Sequence, residues 1–165
     1  VLWLDVDNGL DRTERRFAAL IKGHAIPQEA PLHYVSFPQP PFNAGDPGSA
    51  RALLDDARRF GARLVVVDNL GTVSGGADEN SAAMIGVMAG LRHIAELGEI
   101  AVVAIHHKSK GGRLRAGDSL RGHSSIESAI DLALQVDRDE NSNAITLKAT
   151  KSRDKPPDDV SLLWR

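Results

Sequence analysis

Leu64-Val65-Val66-Val67-Asp68 reads LVVVD: four apolar residues without a break, then an acid. A strand with one wet face would alternate apolar and polar residues. An unbroken run indicates burial on both faces, the setting of a parallel sheet under helices. Ile100 to Ile105 (IAVVAI) repeats the pattern and ends at His106-His107. Val1-Leu2-Trp3-Leu4 is a third apolar run, and it meets Asp5-Val6-Asp7.

Helical spacing fills the intervals between these runs. Asp11, three residues before Glu14, gives a capping-box-like start, and Phe17, Leu20 and Ile21 form one apolar face. Leu32 to Phe37 is a short strand, and the Pro-rich segment from Pro38 to Pro47 is a loop. Asp46-Pro47 places a capping side chain before a Pro at the first helical position. Ala50, Leu53, Leu54, Ala57 and Phe60 follow at helical spacing, and Gly61 stops that helix. Residues 71–80 read as a polar loop leading to a long helix, with Met84, Val87, Met88, Leu91 and Ile94 on one stripe and Gly98 at its end. A short helix near 124–130 and two strands, Leu132–Val136 and Ala144–Thr150, complete the pattern. Strands alternating with helices predict an α/β fold whose sheet is joined by crossovers.

The chain has 165 residues, 42% apolar and 25% charged, which suits one domain with a real core and excludes wholesale disorder. It has no Cys, so a disulfide scaffold, a thiol nucleophile and a Cys-zinc site are excluded. No apolar run is long enough to span a membrane, and the expected location is the cytoplasm. A net charge of −2 means that any nucleic-acid contact comes from a local basic patch rather than from the whole surface. The chain opens without Met inside an apolar run, so it is expected to be the interior of a longer protein.

In parallel sheets ligands bind beyond the carboxyl ends of the strands. Three apolar strands here end in polar chemistry, at Asp5/Asp7, Asp68-Asn69 and His106-His107. A carboxylate delivered by a buried strand can hold Mg²⁺ near a nucleotide, whereas the plainer reading is an acid that caps the next loop. Adjacent strand residues point oppositely, so His106 and His107 rarely share one metal. A zinc hydrolase using Asp68 and one His, a hydrogen-bonding sensor of a γ-phosphate, and solvated strand-end histidines all stay open. Lys108, Lys110, Arg113, Arg115 and Arg121 stand against Asp118 alone in a Gly-rich segment, which suits nucleic-acid phosphates or plain solvent. Lys151 and Arg153 follow the last strand and can project together, either toward a neighbouring subunit's phosphates or as an ordinary basic turn.

Taken in order, LWLDVDNGLD (residues 2–11), LVVVDNL (64–70), VAIHHKSK (103–110), RGHSSI (121–126) and LKATKSR (147–153) resemble the RecA-like ATPase core. The likeness is strongest to the RepA-type hexameric replicative helicases, with AAA_25-type domains, and DnaB-type helicases are cousins. The resemblance implies a three-layer α/β/α fold with a mainly parallel sheet and antiparallel C-terminal strands. It implies one partial core over residues 1–165, beginning at the second core strand, with the first strand and phosphate loop absent. A gap is then expected beside the Asp68 and His106 strands. Asp68 is implied to be the Walker B acid that holds Mg²⁺, with Asn69 beside it at the nucleotide. His106 or His107 is the implied phosphate sensor, and Asp7 takes the place of a water-activating Glu with one methylene less. Arg121, Lys151 and Arg153 match trans-acting cations at a subunit interface. Lys108, Lys110, Arg113 and Arg115 match a DNA-facing loop. The implied cofactors are ATP and Mg²⁺, and the implied partners are single-stranded or duplex DNA and further copies of the chain in a hexameric ring. No G-x-x-x-x-G-K-[ST] occurs in the chain, and Gly75-Gly76 and Gly111-Gly112 lack the GK[ST] that would follow. A non-hydrolysing DNA-binding or assembly module is therefore the alternative reading.

Overall fold

Val65 and Val67 are fully buried and Val66 nearly so, because the LVVVD run forms a strand flanked by strands on both sides. The structure, a computed structural model, describes residues 1–27, 29–78, 81–107, 124–139 and 141–163, with residues 124 and 125 described by backbone alone. It divides into two units, Val1–His107 and Lys108–Arg165.

The first unit alternates strands and helices: β1 (Leu2–Asp5), α1 (Leu10–Gly23), β2 (His33–Ser36), α2 (Pro47–Arg59), β3 (Leu64–Asp68), α3 (Leu70–Val73), α4 (Met84–Gly98) and β4 (Ala101–Ile105). The sheet order is β2-β1-β3-β4, and every pairing is parallel. This is the RecA-like α/β architecture expected from the sequence. The Asp68 and His106 strands themselves pair directly, from Leu64–Ala101 to Asp68–Ile105. Among the described residues, β4 pairs with β3 and lies at the end of this sheet. Its Val103 is 48% exposed, unlike the equally apolar β3, because a strand at the sheet's edge is covered less.

Local chemistry explains most helix boundaries. Asp46 Oδ2 accepts from the Ser49 backbone N–H at 2.7 Å, and Pro47 follows it, so α2 starts where the sequence places it. Gly61 at φ +60° lets its own N–H reach the Arg58 carbonyl while the Ala62 N–H reaches that of Ala57, a Schellman ending. The helix itself ends at Arg59, and Phe60 caps it and stacks on His33, with ring centroids 4.4 Å apart. Met84, Val87, Met88, Leu91 and Ile94 are all buried on α4, as the stripe predicts. Glu99, in the left-handed region, follows Gly98 and turns the chain toward β4.

Two local expectations give way. Asp11 does not cap α1: Gly9 holds the cap position without a side-chain bond, and Asp11 lies inside the first turn, paired with Arg15 at 2.8 Å. Glu14 instead accepts from the Tyr34 hydroxyl at 2.7 Å. The segment read as a loop from residue 71 begins inside α3, because the Asn69 side chain caps a single helical turn. On the face that α1 covers, Trp3, Phe17 and Tyr34 pack edge to face, with centroids 5.3 and 5.8 Å apart.

The second unit holds α5 (Ser124–Ala129) and an antiparallel sheet, β5 (Leu132–Arg138), β6 (Ala144–Ser152) and β7 (Val160–Leu163), in that order. Both expected strands are present and run two residues longer than their patterns. The last strand, β7, was not legible: it is four residues long and exposed throughout, so no periodic burial marks it. No helix among the described residues is long and apolar enough to cross a membrane.

Candidate functional site

The register of β1 and β3 places Asp5 directly opposite Asp68, with Ser36 and Ile105 on their outer sides. Strand partners in register share one face and one end of the sheet, so both carboxylates reach the carboxyl-terminal rim together. Asp5 is fully buried and Asp68 is 8% exposed. Two acids so placed require partners.

Asp5 finds them locally. Its Oδ1 accepts from the backbone N–H groups of Asp7 and Asn8 at 3.1 and 2.8 Å, and its Oδ2 from the Thr13 hydroxyl at 2.8 Å. Burial pushes the Asp5 carboxyl up, but the hydrogen bonds from Asn8, Asp7, Thr13 and Gly9 outweigh it and hold the group below its ordinary value. Asp5 thus shapes the turn after β1 and ties it to the first turn of α1. The Val6 N–H donates to the Asp68 carbonyl at 2.8 Å, which carries the pairing one residue past β1.

Asp68 is held differently. Burial raises its carboxyl above the usual carboxylate range, the charges of Asp5 and Asp7 raise it further, and His107 and Arg16 lower it in part. Its Oδ2 accepts from Asn8 Nδ2 at 3.0 Å. Asp7 lies beyond the rim, and its Oδ2 is 3.5 Å from His107 Nε2, a pair that becomes ionic when the imidazole is protonated. The structure therefore brings Asp7, Asp68 and His107 to one rim, and it is His107 that faces Asp7. Asn69 uses its side chain locally: Oδ1 accepts from the Thr72 N–H at 3.1 Å and from the Thr72 hydroxyl at 3.3 Å.

Lys151 and Arg153 lie in the second unit, where both reach the C-terminal end of α5. Lys151 Nζ donates to the Glu127 carbonyl, and Arg153 donates to the Ser128 carbonyl at 2.7 Å and pairs with Asp131 at 3.2 Å. Cations at a helix C-terminus answer its unpaired carbonyls and its dipole. Arg121, Lys108, Lys110, Arg113 and Arg115 lie outside the described residues. Asn8, Thr13 and Arg16 are the site residues that the sequence did not single out, and Asp5, grouped there with Asp7 at the strand end, was given no role of its own. The available hint was an Asp shortly before an Asn-Gly pair at a strand end, the spacing at which a carboxylate folds back on following N–H groups.

Carboxylate oxygens suit a hard divalent cation, and Asp68 Oδ1 accepts no hydrogen bond among the described residues. Among those residues no three His, Asp or Glu groups converge as a metal cage. A cation here would draw its remaining ligands from water and a bound phosphate, as Mg²⁺ commonly does.

A parallel sheet that presents buried and rim carboxylates from adjacent strands beyond its carboxyl end has them where open α/β sheets bind their ligands. The family model described as an AAA domain (AAA_25) matches residues 1–113, well over half of the sequence, and the chain belongs to that family. AAA-type domains are nucleotide-binding, ATPase-like modules that work with a divalent metal. No curated protein matches the chain.

Proposed function

We propose that this chain is most of the motor domain of a DNA helicase or related DNA-dependent ATPase, which works in replication or recombination as a hexameric ring of identical subunits in the cytoplasm. The observation that carries this reading is the pairing of Asp68 with Asp5 at the sheet's carboxyl rim, beside Asp7 and His107. Asp68 would hold Mg²⁺ at a nucleotide, where the ion would supply positive charge to offset that of the phosphates. Asp7, on the rim and half exposed, orients the attacking water, with His107 at its carboxylate to share or hold a proton. His106 or His107 reports the γ-phosphate to the basic segment 108–120, where Lys108, Lys110, Arg113 and Arg115 meet DNA phosphates. Asn69 fixes the turn that follows Asp68. In this reading Arg121, Lys151 and Arg153 act on a neighbouring subunit's nucleotide, and the latter two must leave α5 to do so.

The test is Asp68→Ala in the full-length protein. ATP turnover is expected to fall at least about a hundredfold, the order lost with a preorganised charge-stabilising group. Unchanged turnover in a folded variant overturns the assignment. The isolated 165-residue chain is expected to show no Mg²⁺-dependent ATP turnover above background, because it carries no GK[ST] loop. Measurable turnover by that chain would refute this.

A second reading, a non-hydrolysing DNA-binding or assembly module, is favoured by Asp7 in place of the longer Glu and by the same missing motif. A GK[ST] loop about one βα unit upstream of Val1 in the parent gene supports the motor, and an unrelated domain there supports the module. The zinc-hydrolase alternative requires stoichiometric zinc in the purified protein.

A further inference from the structure

Asn8 stands between the rim and the outer side of α1, and both ends of its side-chain amide are engaged. Its Nδ2 donates to Asp68 Oδ2 at 3.0 Å, while its Oδ1 accepts from Arg16 Nη1 at 2.9 Å. A guanidinium offers donors only, and an amide has one donating and one accepting end. Arg16 therefore fixes the sense of the amide: its oxygen turns toward α1 and its nitrogen toward Asp68. Reversed, the amide would set its carbonyl against the carboxylate, acceptor against acceptor. The backbone of Asn8 is fixed as well, since its N–H donates to Asp5 Oδ1 at 2.8 Å. One oxygen of Asp68 is thus occupied by a donor whose position and polarity are both set. The other accepts no hydrogen bond among the described residues.

We propose that Asn8, clamped by Arg16, is a positioning residue that orients the Asp68 carboxylate and leaves Oδ1 for a divalent cation. The inference rests on the metal-holding role proposed for Asp68. A carboxylate that rotates freely loses rotamer entropy each time it takes a cation, and one already held by a second-layer hydrogen bond loses less. Arg16 belongs to the device although it is exposed on α1 and touches neither Asp68 nor a ligand directly.

The experiment measures Mn²⁺ binding alone, by electron paramagnetic resonance of free Mn²⁺, on the 165-residue chain and four variants: Asp68→Ala, Asn8→Ala, Arg16→Met and the double variant Asn8→Ala/Arg16→Met. The wild type is expected to bind Mn²⁺ through a site that Asp68→Ala abolishes. Asn8→Ala is expected to weaken that site about tenfold, the usual order for loss of a partner that orients a metal ligand. Arg16→Met carries the sharper reading. Removal of a cation near the site would by electrostatics alone tighten Mn²⁺ binding, whereas loss of the clamp weakens it. Weaker binding in Arg16→Met, with no further loss when the change is added to Asn8→Ala, is the expected outcome. Should Asn8→Ala fail to fold by circular dichroism, Arg16→Met on the exposed helix face decides alone. The proposal is overturned by unchanged or tighter binding in Asn8→Ala, by tighter binding in Arg16→Met, or by no Asp68-dependent site. Mn²⁺ binding requires no turnover, so loss of the motor reading through Asp68→Ala kinetics and loss of this one are separate results.

Discussion

Asp5 is fully buried yet stays charged, because three donors face its two oxygens at 2.8 to 3.1 Å. Charge-assisted bonds of this kind are the strong ones, and a donor that loses its acceptor inside the fold is costly. Asp5→Asn keeps the shape but turns one acceptor into a donor that faces donors. A loss of about 2 kcal/mol or more is expected at neutral pH, read by chemical denaturation. The pH dependence follows from the direction of the shift. Asp5 is held below its unfolded value of about 3.9, so its contribution is complete above that value and disappears as the pH falls through the lower, folded one. The variant is therefore expected to lose less stability than the wild type on acidification from pH 5 to 2. Asp68 has the opposite sign: raised by burial and by Asp5 and Asp7, it favours the fold below its unfolded value, and that contribution is lost as the pH rises through the raised one. An acid limb in Asp5→Asn as steep as in the wild type would contradict the account of Asp5.

Among the elements, α4 shows how one position governs packing. A Cβ at Gly90 would run into the backbone carbonyl oxygen of Ala44, and backbone cannot swing aside as a flexible side chain can. The loop residue Ala44 is itself almost fully buried, and its N–H donates to the Val73 carbonyl at 2.9 Å, so it is pinned between α3 and α4. Gly90→Ala, harmless in an isolated helix and even favourable by propensity, is expected to destabilise this one by about 3 kcal/mol through overpacking. A thermal midpoint equal to that of the wild type would show that the loop carrying Ala44 yields. The same element explains why the sequence stripe was readable: its five large apolar residues face inward at helical spacing, so periodicity and burial coincide.

For the whole molecule, the deeply buried apolar residues concentrate in the first unit. From Leu2 to Ile94 they fill the space around the parallel sheet, whereas Ile126 is the one such residue found among the described part of the second unit. A fragment of residues 1–107 is thus expected to melt cooperatively and to keep the helix and strand content of the first unit. A non-cooperative melt of that fragment by circular dichroism would mean that the first unit's core is not self-sufficient. The proposed motor adds a demand of its own, since P-loop phosphoryl transfer uses a G-x-x-x-x-G-K-[ST] motif that does not occur in these 165 residues.

Apolar runs, breaker residues and the Asp46-Pro47 cap were enough to define the α/β class, the order of the longer strands and helices, and the rim at which acids and imidazoles appear, whereas α3 and β7 escaped them. Those signals are local: LVVVD, Asp46-Pro47 and the α4 stripe each act within a few residues of themselves. Which acid does what was not local. Asp5 and Asp7 are indistinguishable as letters, and only register puts Asp5 opposite Asp68, inside, and leaves Asp7 outside beside His107. Asn8 meets Asp68 across 60 positions of chain, and Arg16 acts on Asp68 only through that contact. The sequence by itself determined most of the segments that become strands and helices, α3 and β7 excepted, because hydrophobic period and turn chemistry are short-range. The tertiary structure alone decided which carboxylate is buried, which is raised and which is oriented, because those depend on solvent exclusion and on charges brought together from distant parts of the chain.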